Sequence, residues 1–533
     1  MKLNMKSTLL TVAASLLIGS VVHANTKPNI VFILVDDMPW YGTATMQQEG
    51  YGGSAMKWRN TPNIDAIGSQ GMIFANAYSS AGMCAPSRCS IQTGKTAGRT
   101  RFSGNGNFGD SCTFEVNYIE KAKGAPYLEP EPMGSLNPKF KTIAHVLKEQ
   151  GYATAHFGKW HVYGGGPEAC GYDESDGETS NEEGGKMNTD PRDPKKIFSM
   201  TRNSIDFIER QAKADKPFFV QISHYAEHNQ QQSLPETLKK YTSNPEIKAL
   251  GNSAAREVAT HCAAIEDMDT SIGMVLKKLE ELGISDNTYV VFTSDNGKGL
   301  YNGSDRILRG GKWWLWEGGI RVPMSMKGPG ITAGSRNSLN VVGYDFMPTF
   351  YELAGGDVAR LENVDGVSIM PIAKGGNVDG FKDRSLFFHY PHHRNATPHS
   401  VIIKGHYKLF NFYELPEPYL YDLKKDIGEG TNITKQMPEK AQRMKSELDV
   451  YHTRIDALLP KPNPNASDSY VLFDPVVKVP PVCDLVDGKL PKLDKGKGTI
   501  PDVDQSKEKM SKEDKKKARA EARKNKGKNK NEQ

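Results

Sequence analysis

Two acidic pairs in the 533-residue sequence have side chains suited to binding a metal ion. Asp36-Asp37 ends the apolar run NIVFILVDD, and Asp295-Asn296 ends a similar run, TYVVFTSDNG. Three carboxylates and an amide oxygen suit a hard divalent cation, and Ca²⁺ tolerates irregular oxygen geometry better than Mg²⁺. Asp and Asn also shape turns and cap helices, so each pair taken alone has that simpler interpretation.

The segment MCAPSRCSIQTGK indicates a second kind of chemistry. Pro86 is favoured in the first turn of a helix, which places Cys84 at a helix N-terminus, where free backbone N–H groups face outward. Arg88 follows one turn later, on the same face as Cys84. A helix N-terminus beside an arginine predicts an anion site. A buried structural cysteine before a helix is the alternative interpretation.

Four units, each a strand followed by a polar loop, are expected to position these residues. Besides the two runs above, they are GYATAHFGKWH (residues 151–161) and KPFFVQISHYAEH (residues 216–228). Residues 30–35 form an unbroken run of six apolar residues, which indicates a strand buried on both faces. Helical periodicity lies between the units, most clearly over residues 263–282 before Gly283. This alternation predicts an α/β fold with a large mixed sheet flanked by helices, whose ligands bind beyond the carboxyl ends of the strands.

The C-terminal third has a different sequence pattern. SVIIKGHYKLF predicts a β-hairpin with Lys404-Gly405 at the turn. We therefore predict an α/β domain over residues 25–376 and a smaller C-terminal antiparallel-sheet domain of α+β type over residues 377–460. Residues 461–504 are rich in Pro, Asp and Lys and predict an extended segment that wraps the surface. Residues 505–533 lack an apolar face and predict a basic disordered tail.

The net charge of +5 comes from the chain ends. Residues 505–533 alone carry 12 Lys and Arg against 5 Asp and Glu, so the body is slightly acidic and we expect no nucleic-acid partner. Residues 1–24 combine two lysines, a short apolar stretch and Val22-His23-Ala24, which predicts a signal peptide cleaved after Ala24. An uncleaved anchor is the alternative, but the stretch is short for a membrane span. We expect an exported protein, periplasmic or secreted, with no membrane span.

The motifs together resemble those of the type I sulfatase family, in the alkaline phosphatase superfamily. Cys84-x-Pro86-x-Arg88 matches the signature at which that family's cysteine is converted to formylglycine. Further segments agree in order: the VDD strand, GYATAHFGKWH, PFFVQISHYAEH, IEDMDTSIG, TSDNG and LRGGKWWLWEGGIRVP. The resemblance spans residues 29–459 and includes the segment YDLKKDIGEGTNI. Within the family, the chain resembles bacterial exported polysaccharide sulfatases. It implies an alkaline-phosphatase-like fold.

The resemblance also implies the residues of the active site. The implied catalytic residues are Cys84, Arg88, Lys159, His161, His228 and Lys312, and the implied ligands of one Ca²⁺ are Asp36, Asp37, Cys84, Asp295 and Asn296. Hydrated formylglycine derived from Cys84 would be the nucleophile, made by a formylglycine-generating or radical maturation enzyme. The cations would stabilise charge on the sulfate oxygens, His228 would act as acid and His161 as base.

Two departures from the family pattern are present. Members often have Pro-His after the PFF strand, whereas this chain has Glu227-His228, which leaves His224 as an alternative acid. GKWHVYGGG replaces the commoner GKWHLG and keeps Lys159 and His161.

Candidates for contacting the substrate lie after the nucleophile and in the C-terminal part. They are His224, Arg101, Asn105, Arg384, His389, His392 and Arg394. Packing with surface histidines is the alternative for the last four. Three tryptophans follow Lys312, and their faces suit pyranose rings, although one or two of them are expected in the core.

The expected function is Ca²⁺-dependent hydrolysis of sulfate monoesters on a sulfated carbohydrate, such as an oligosaccharide from a marine galactan, ulvan or a glycosaminoglycan. The alternatives are a phosphonate or phosphodiester hydrolase of the same superfamily, and a non-catalytic sulfated-glycan-binding protein. Six cysteines suggest three disulfides, but conversion of Cys84 leaves five, so at least one other thiol is expected to stay free.

Overall fold

The structure, a computed structural model, describes residues 27–51, 58–104, 124–228, 230–298, 308–393, 397–467 and 470. The predicted signal peptide, the basic tail, most of the segment over residues 461–504, and the candidates Asn105 and Arg394 lie outside the described residues. Of the helices that are described, none has the length and apolar character needed to cross a membrane.

A large mixed sheet organises the molecule. Its strands follow the order β10-β2-β9-β8-β1-β7-β5-β6, with β9 antiparallel to both neighbours and the other pairs parallel. This confirms the predicted fold class. The strands in the described residues are β1 Asn29–Val35, β2 Met72–Phe74, β3 Ala77–Tyr78, β4 Tyr127–Leu128, β5 Ala153–Gly158, β6 Glu174–Ser175, β7 Phe218–His224, β8 Thr288–Ser294, β9 Met324–Lys327, β10 Ser335–Asn337, β11 Val341–Val342, β12 Ser385–Tyr390, β13 His399–Lys404, β14 Tyr407–Phe412, β15 Tyr419–Asp422 and β16 Lys461–Pro462.

Helices cover both faces of this sheet. The α-helices of the described residues are Pro62–Ser69, Cys84–Thr93, Ala97–Thr100, Ile143–Lys148, Gly166–Ala169, Ile197–Lys213, Pro235–Thr242, Pro245–Lys248, Asn252–Glu281, Glu317–Ile320, Phe346–Leu353, Met370–Ala373, Asp379–Lys382 and Pro438–Ile455. Short 3₁₀ turns occupy Pro194–Lys196, Ser285–Asn287, Gly343–Asp345 and Val358–Arg360.

β1 is the central strand, and its continuous apolar sequence has a structural reason. The even-numbered residues of 30–34 pack into one hydrophobic core, and the odd-numbered residues of 31–35 pack into the core on the other face. Every residue of β1 is therefore buried, as predicted for a strand with helices on both sides.

The helix expected over residues 263–282 is longer than its apolar stripe. It runs over Asn252–Glu281, and Gly283 follows it with a φ of 67°. Its first buried residue is Ala259, so the opening turns carry no continuous apolar face that the periodicity could reveal. This explains why the sequence pattern detects only its C-terminal two-thirds.

The C-terminal part forms a four-stranded antiparallel sheet in the order β12-β13-β14-β15. The helix Pro438–Ile455 packs on one face through Ala441, Met444 and Leu448, and Trp314 and Trp316 pack in the core on the other face. The predicted hairpin is confirmed, but its turn lies one residue later, at Gly405-His406, because Lys404 pairs with Tyr407. The domain boundary at residue 376 remains a prediction.

Four cysteines are free and buried among the described residues: Cys84, Cys89, Cys170 and Cys262. This confirms the expectation that at least one thiol besides Cys84 stays free. Cys112 and Cys483 lie outside the described residues.

Candidate active site

Four adjacent strands, in the order β8, β1, β7 and β5, end at the same edge of the sheet. The backbone N–H of Asp36 donates to the carbonyl of His224 at 3.1 Å, and that of Asp295 donates to the carbonyl of Val35 at 3.0 Å. The loops after these strands carry most of the predicted site residues: Asp36 and Asp37 after β1, Asp295 and Asn296 after β8, Lys159 and His161 after β5, and His228 after β7.

Cys84 reaches this edge from a separate element. The helix begins at Cys84 itself, after an extended Met83, and has Pro86 in its first turn, as the sequence predicted. The Cys84 Sγ lies 3.3 Å from Asp36 Oδ1 and 3.7 Å from Asp37 Oδ1. The cysteine is therefore buried directly against the two carboxylates that follow β1.

Three buried cations face the three carboxylates of the site. Lys159 Nζ donates to Asp36 Oδ2 at 2.6 Å, Lys312 Nζ lies 2.6 Å from Asp37 Oδ1, and Arg88 Nε donates to Asp295 Oδ2 at 2.7 Å. The side chains of these six residues are at most 6% exposed. Buried charges require such pairing because burial removes their hydration.

The carboxylates are not electrostatically equivalent. Burial raises the pKa of Asp36, but Lys159, His228 and Arg88 outweigh this and hold that pKa well below its usual range. Burial raises the pKa of Asp295 to about 6, because the attraction of Arg88 does not fully offset it. An additional positive charge beside Asp295 would favour its ionised form.

The acidic cluster fits a divalent cation. Asp36, Asp37, Cys84 and Asp295 each offer one ligand atom, and these atoms lie within 4.8 Å of one another. Asn296 Nδ2 donates to Asp37 Oδ1 at 2.7 Å, whereas within the described part of the chain its buried Oδ1 has no hydrogen-bond partner. An unsatisfied amide oxygen beside three carboxylates suits the oxygen-rich coordination of Ca²⁺.

Two histidines complete the site. A ring nitrogen of His228 lies within 4.8 Å of the Cys84 sulfur and an Asp36 oxygen, and burial lowers the pKa of His228 to about 4. His161 is buried with a φ of 58°, and burial beside Lys159 holds its pKa well below the usual value. His224 ends β7 and burial lowers its pKa to about 3, but it is not part of the group formed with Cys84.

Two substrate-binding candidates instead make protein contacts. The guanidinium of Arg384 donates to both carboxylate oxygens of Asp345, at 2.8 and 2.5 Å. His389 is buried, with Nδ1 2.7 Å from Ser400 Oγ and Nε2 2.9 Å from the carbonyl of Leu458. Their polar atoms are engaged within the fold, and a substrate contact stays a prediction for both residues.

His392 also has both ring nitrogens engaged, with Glu129 Oε2 at 3.0 Å and Ser103 Oγ at 2.9 Å, and its role in substrate binding likewise stays a prediction. Arg101 contacts Asp456, and its side chain is 39% exposed, so a role in substrate binding stays a prediction for it. Of the tryptophans, Trp316 and Trp314 are buried in the core, and the Trp313 ring lies 5.2 Å from Lys312 Nζ.

His393, the neighbour of His392, is expected to make the stability of the protein depend on pH. His393 Nδ1 lies 2.8 Å from Glu129 Oε1, and Nε2 lies 2.6 Å from Glu414 Oε1. Burial alone would lower the pKa of His393, but the two glutamates outweigh this effect and raise the pKa to about 9. Because the folded pKa exceeds the unfolded value of about 6.5, the stabilisation is complete below pH ~6.5 and is lost as the pH rises through ~9.

We expect His393→Gln to destabilise the protein by about 1–3 kcal/mol near pH 6 and by much less above pH ~9. Thermal unfolding midpoints of both proteins across this range measure the effect. His406→Gln, at a histidine whose side chain is 47% exposed, is the matched control and should keep the wild-type pH dependence. A constant difference between His393→Gln and wild type at every pH would contradict the assignment.

Two charged residues of the site were missed by sequence reasoning. Glu227 is buried beside His228, and Lys298 Nζ donates to the Glu227 carbonyl at 2.6 Å. The only sequence signal was the departure from Pro-His at position 227. Lys195 is a further buried cation; burial lowers its pKa to about 8, with Asp36 among the nearby charges.

A comparison with family models accounts for this arrangement. The family model described as Sulfatase matches residues 28–356. The chain belongs to the sulfatase family. This sulfatase is therefore a sulfuric ester hydrolase, and the predicted resemblance is confirmed. A second model, described as N-sulphoglucosamine sulphohydrolase, C-terminal, matches residues 311–454.

Individual relatives agree with this assignment. The sulfatase is 29% identical to a protein named Sulfatase from Formosa agariphila, over 81% of this chain and 90% of the relative. It is 29% identical to N-acetylgalactosamine-6-sulfatase from Canis lupus familiaris, over 72% of each chain. The crystal structure of Ps i-CgsB in complex with k-i-k-neocarrahexaose has the same fold, with a TM-score of 0.64, 22% identity and coverage of 84% of this chain and 95% of that chain.

Proposed function

We propose that the protein hydrolyses sulfate monoesters of a sulfated carbohydrate, with residue 84 as the nucleophile after conversion of its cysteine to formylglycine. The observation that carries the proposal is the position of Cys84: it begins a helix and lies 3.3 Å from an oxygen of Asp36, and the buried Lys159 and Lys312 contact Asp36 and Asp37 next to it. Such a site attracts an anion and holds it against residue 84.

The environment of Cys84 argues against an unmodified thiolate as the nucleophile. Burial, with Asp36 as a further contributor, raises the pKa of the Cys84 thiol well above its usual value. A protonated thiol is a weak nucleophile. A hydrated formylglycine at this position would supply a hydroxyl nucleophile for the sulfur of the ester. A maturation enzyme of the formylglycine-generating or radical type would be the required partner.

The ligands proposed for Ca²⁺ are Asp36, Asp37, Asp295 and Asn296, together with residue 84. The ion, when bound, would supply positive charge that acidifies the nucleophile and polarises the sulfate oxygens. The proximity of the four groups of the acidic cluster and the unsatisfied Asn296 oxygen support this assignment.

The remaining residues have complementary roles in the proposed reaction. Arg88, Lys159 and Lys312 would bind the negatively charged sulfate oxygens and hold the group for attack by residue 84, while the electron pair of the breaking S–O bond moves to the sugar oxygen. His228, beside Cys84, would deliver a proton to the departing alcohol oxygen. Its pKa of about 4 belongs to the site without an anion, and the negative charge of a bound sulfate ester would raise that pKa and favour the protonated ring. His161 lies on the loop after β5, and its low pKa keeps the ring neutral and able to accept a proton when sulfate is expelled.

A sulfated sugar is the proposed substrate because related sequences of similar length carry names such as N-acetylgalactosamine-6-sulfatase. Export to the periplasm or the medium, proposed from the N-terminal sequence, would place the enzyme where polysaccharide fragments occur.

The test measures sulfate released by the matured protein from a panel of defined sulfated oligosaccharides: 6-sulfated N-acetylhexosamines, ulvan and carrageenan fragments, and glycosaminoglycan disaccharides. We expect turnover of at least one of them to exceed that of phosphodiesters and phosphonate monoesters by orders of magnitude. Faster turnover of a phosphodiester would identify the superfamily alternative. Tight glycan binding with no release by fully converted protein would indicate a non-catalytic role.

A further inference from the structure

The loop that carries His228 is held by a buried ionic cluster that the sulfatase motifs do not include. We name it the Glu227 cluster: Glu227, Arg59, His261 and Lys298. Arg59 lies 3.1 Å from Glu227 Oε1, His261 Nδ1 lies 3.1 Å from Oε2, and Lys298 Nζ also contacts Oε2. Three basic side chains from three separate segments thus meet one carboxylate that has no solvent exposure.

Lys298 connects this cluster to the rest of the site. Its Nζ donates to the main-chain carbonyl of Glu227 at 2.6 Å, and this carbonyl belongs to the peptide bond that joins Glu227 to His228. It is two residues after Asn296, and its own carbonyl accepts the N–H of Lys312 at 2.8 Å. Through its side chain and its main chain, Lys298 therefore ties the His228 loop to the loop of the acidic cluster and to the backbone of Lys312, the cation that contacts Asp37.

The backbone at Glu227 shows that this loop differs from a Pro-His loop. Glu227 has a φ of 73°, in the left-handed region that residues other than glycine rarely adopt. A proline is confined to a φ of about −65° and cannot take this conformation. The side chain of this residue is ion-paired at both carboxylate oxygens, with Arg59 at Oε1 and with Lys298 at Oε2.

We propose that Glu227 and Lys298 are positioning residues for His228: they hold its backbone so that the imidazole stays directed at the leaving oxygen next to residue 84. This inference rests on the proposed function. Neither side chain needs to touch the substrate. Their loss should therefore affect proton delivery more than binding of the sulfate group.

The leaving group distinguishes positioning from general stabilisation. A sugar alkoxide is strongly basic and needs a proton as the S–O bond breaks, whereas 4-nitrophenolate leaves as a stable anion. For Lys298→Met we expect kcat on a 6-sulfated N-acetylhexosamine to fall by about 10²-fold, and kcat on 4-nitrophenyl sulfate to fall by less than about tenfold. KM should change little for either ester.

Glu227→Gln should show the same selective loss, and His228→Ala should show it most strongly. Lys240→Met, which removes a surface ion pair with Glu266, is the matched control and should leave both activities unchanged. Lys298→Arg should restore part of the lost activity on the sugar sulfate. If Lys298→Met does not fold, His261→Gln, which contacts the same carboxylate, provides the comparison.

Equal losses on the two esters in any folded cluster variant, or no loss in either, would overturn the positioning role. If the 6-sulfated N-acetylhexosamine is not turned over, the sulfated sugar of the panel that is turned over replaces it. A wild-type protein that is fully converted at residue 84 and releases sulfate from no sugar of that panel and not from 4-nitrophenyl sulfate would instead overturn the proposed function. The two failures are therefore separable in one set of measurements.

Discussion

Cys84→Ala is expected to abolish sulfate release, lowering kcat by about four orders of magnitude or more while leaving the fold intact. Alanine cannot be oxidised to an aldehyde and offers no hydroxyl to the ester. The loss of one buried sulfur creates a small cavity, so only a modest fall in stability is expected. Sulfate release from the preferred substrate, together with circular dichroism and thermal unfolding, measures both effects.

Cys89→Ala is the matched control for this substitution. Cys89 is a free, fully buried cysteine of the same helix and packs in the hydrophobic core. Its substitution should cost a similar amount of stability and leave kcat within a few-fold of wild type. Comparable losses of activity in the two variants would show that the helix, and not the chemistry of residue 84, is what the substitution damages.

Lys312→Met is expected to lower kcat by about two to three orders of magnitude. The Lys312 Nζ lies 2.6 Å from Asp37 Oδ1 and is buried, so a sulfate group held at residue 84 meets this charge in a medium that screens it poorly. Methionine keeps most of the side-chain volume and removes the cation. Steady-state kinetics on one defined sulfated sugar measure the change.

Lys95→Met serves as the control for removing a largely buried lysine elsewhere. Lys95 Nζ donates to the carbonyls of Glu362 and Asn363, at 3.1 and 2.6 Å, and its loss should reduce stability without changing kcat. An unchanged kcat in Lys312→Met would remove that residue from the catalytic set. A raised KM with constant kcat would mean that it binds substrate and transition state equally well.

Local sequence patterns were sufficient to predict the elements that form the site. The unbroken apolar run of β1 is possible only between two helical layers, and Pro86 defines where the helix of Cys84 begins. Because adjacent parallel strands end at one edge, the polar residues that follow them had to meet.

Ion pairs between residues far apart in the sequence could not be predicted from such local patterns. Arg384 is neutralised by Asp345, 39 positions away, and the sequence offered no signal that would choose this carboxylate over a substrate. Lys298 meets Glu227 across 71 positions, through loops whose conformations depend on the folded sheet. Charged residues in loops can therefore be nominated from sequence, but their partners follow only from the tertiary structure.

The chemical form of residue 84, cysteine or formylglycine, tests the proposed mechanism most directly. Protein purified from a host that carries the maturation enzyme is digested, and the peptide that spans Cys84 is examined by mass spectrometry. We predict an aldehyde at position 84, seen as a peptide whose mass corresponds to formylglycine in place of cysteine. Across preparations, the fraction of protein that carries formylglycine should rise in proportion to the sulfatase activity. A cysteine thiol that persists at position 84 in fully active protein would contradict the proposed mechanism.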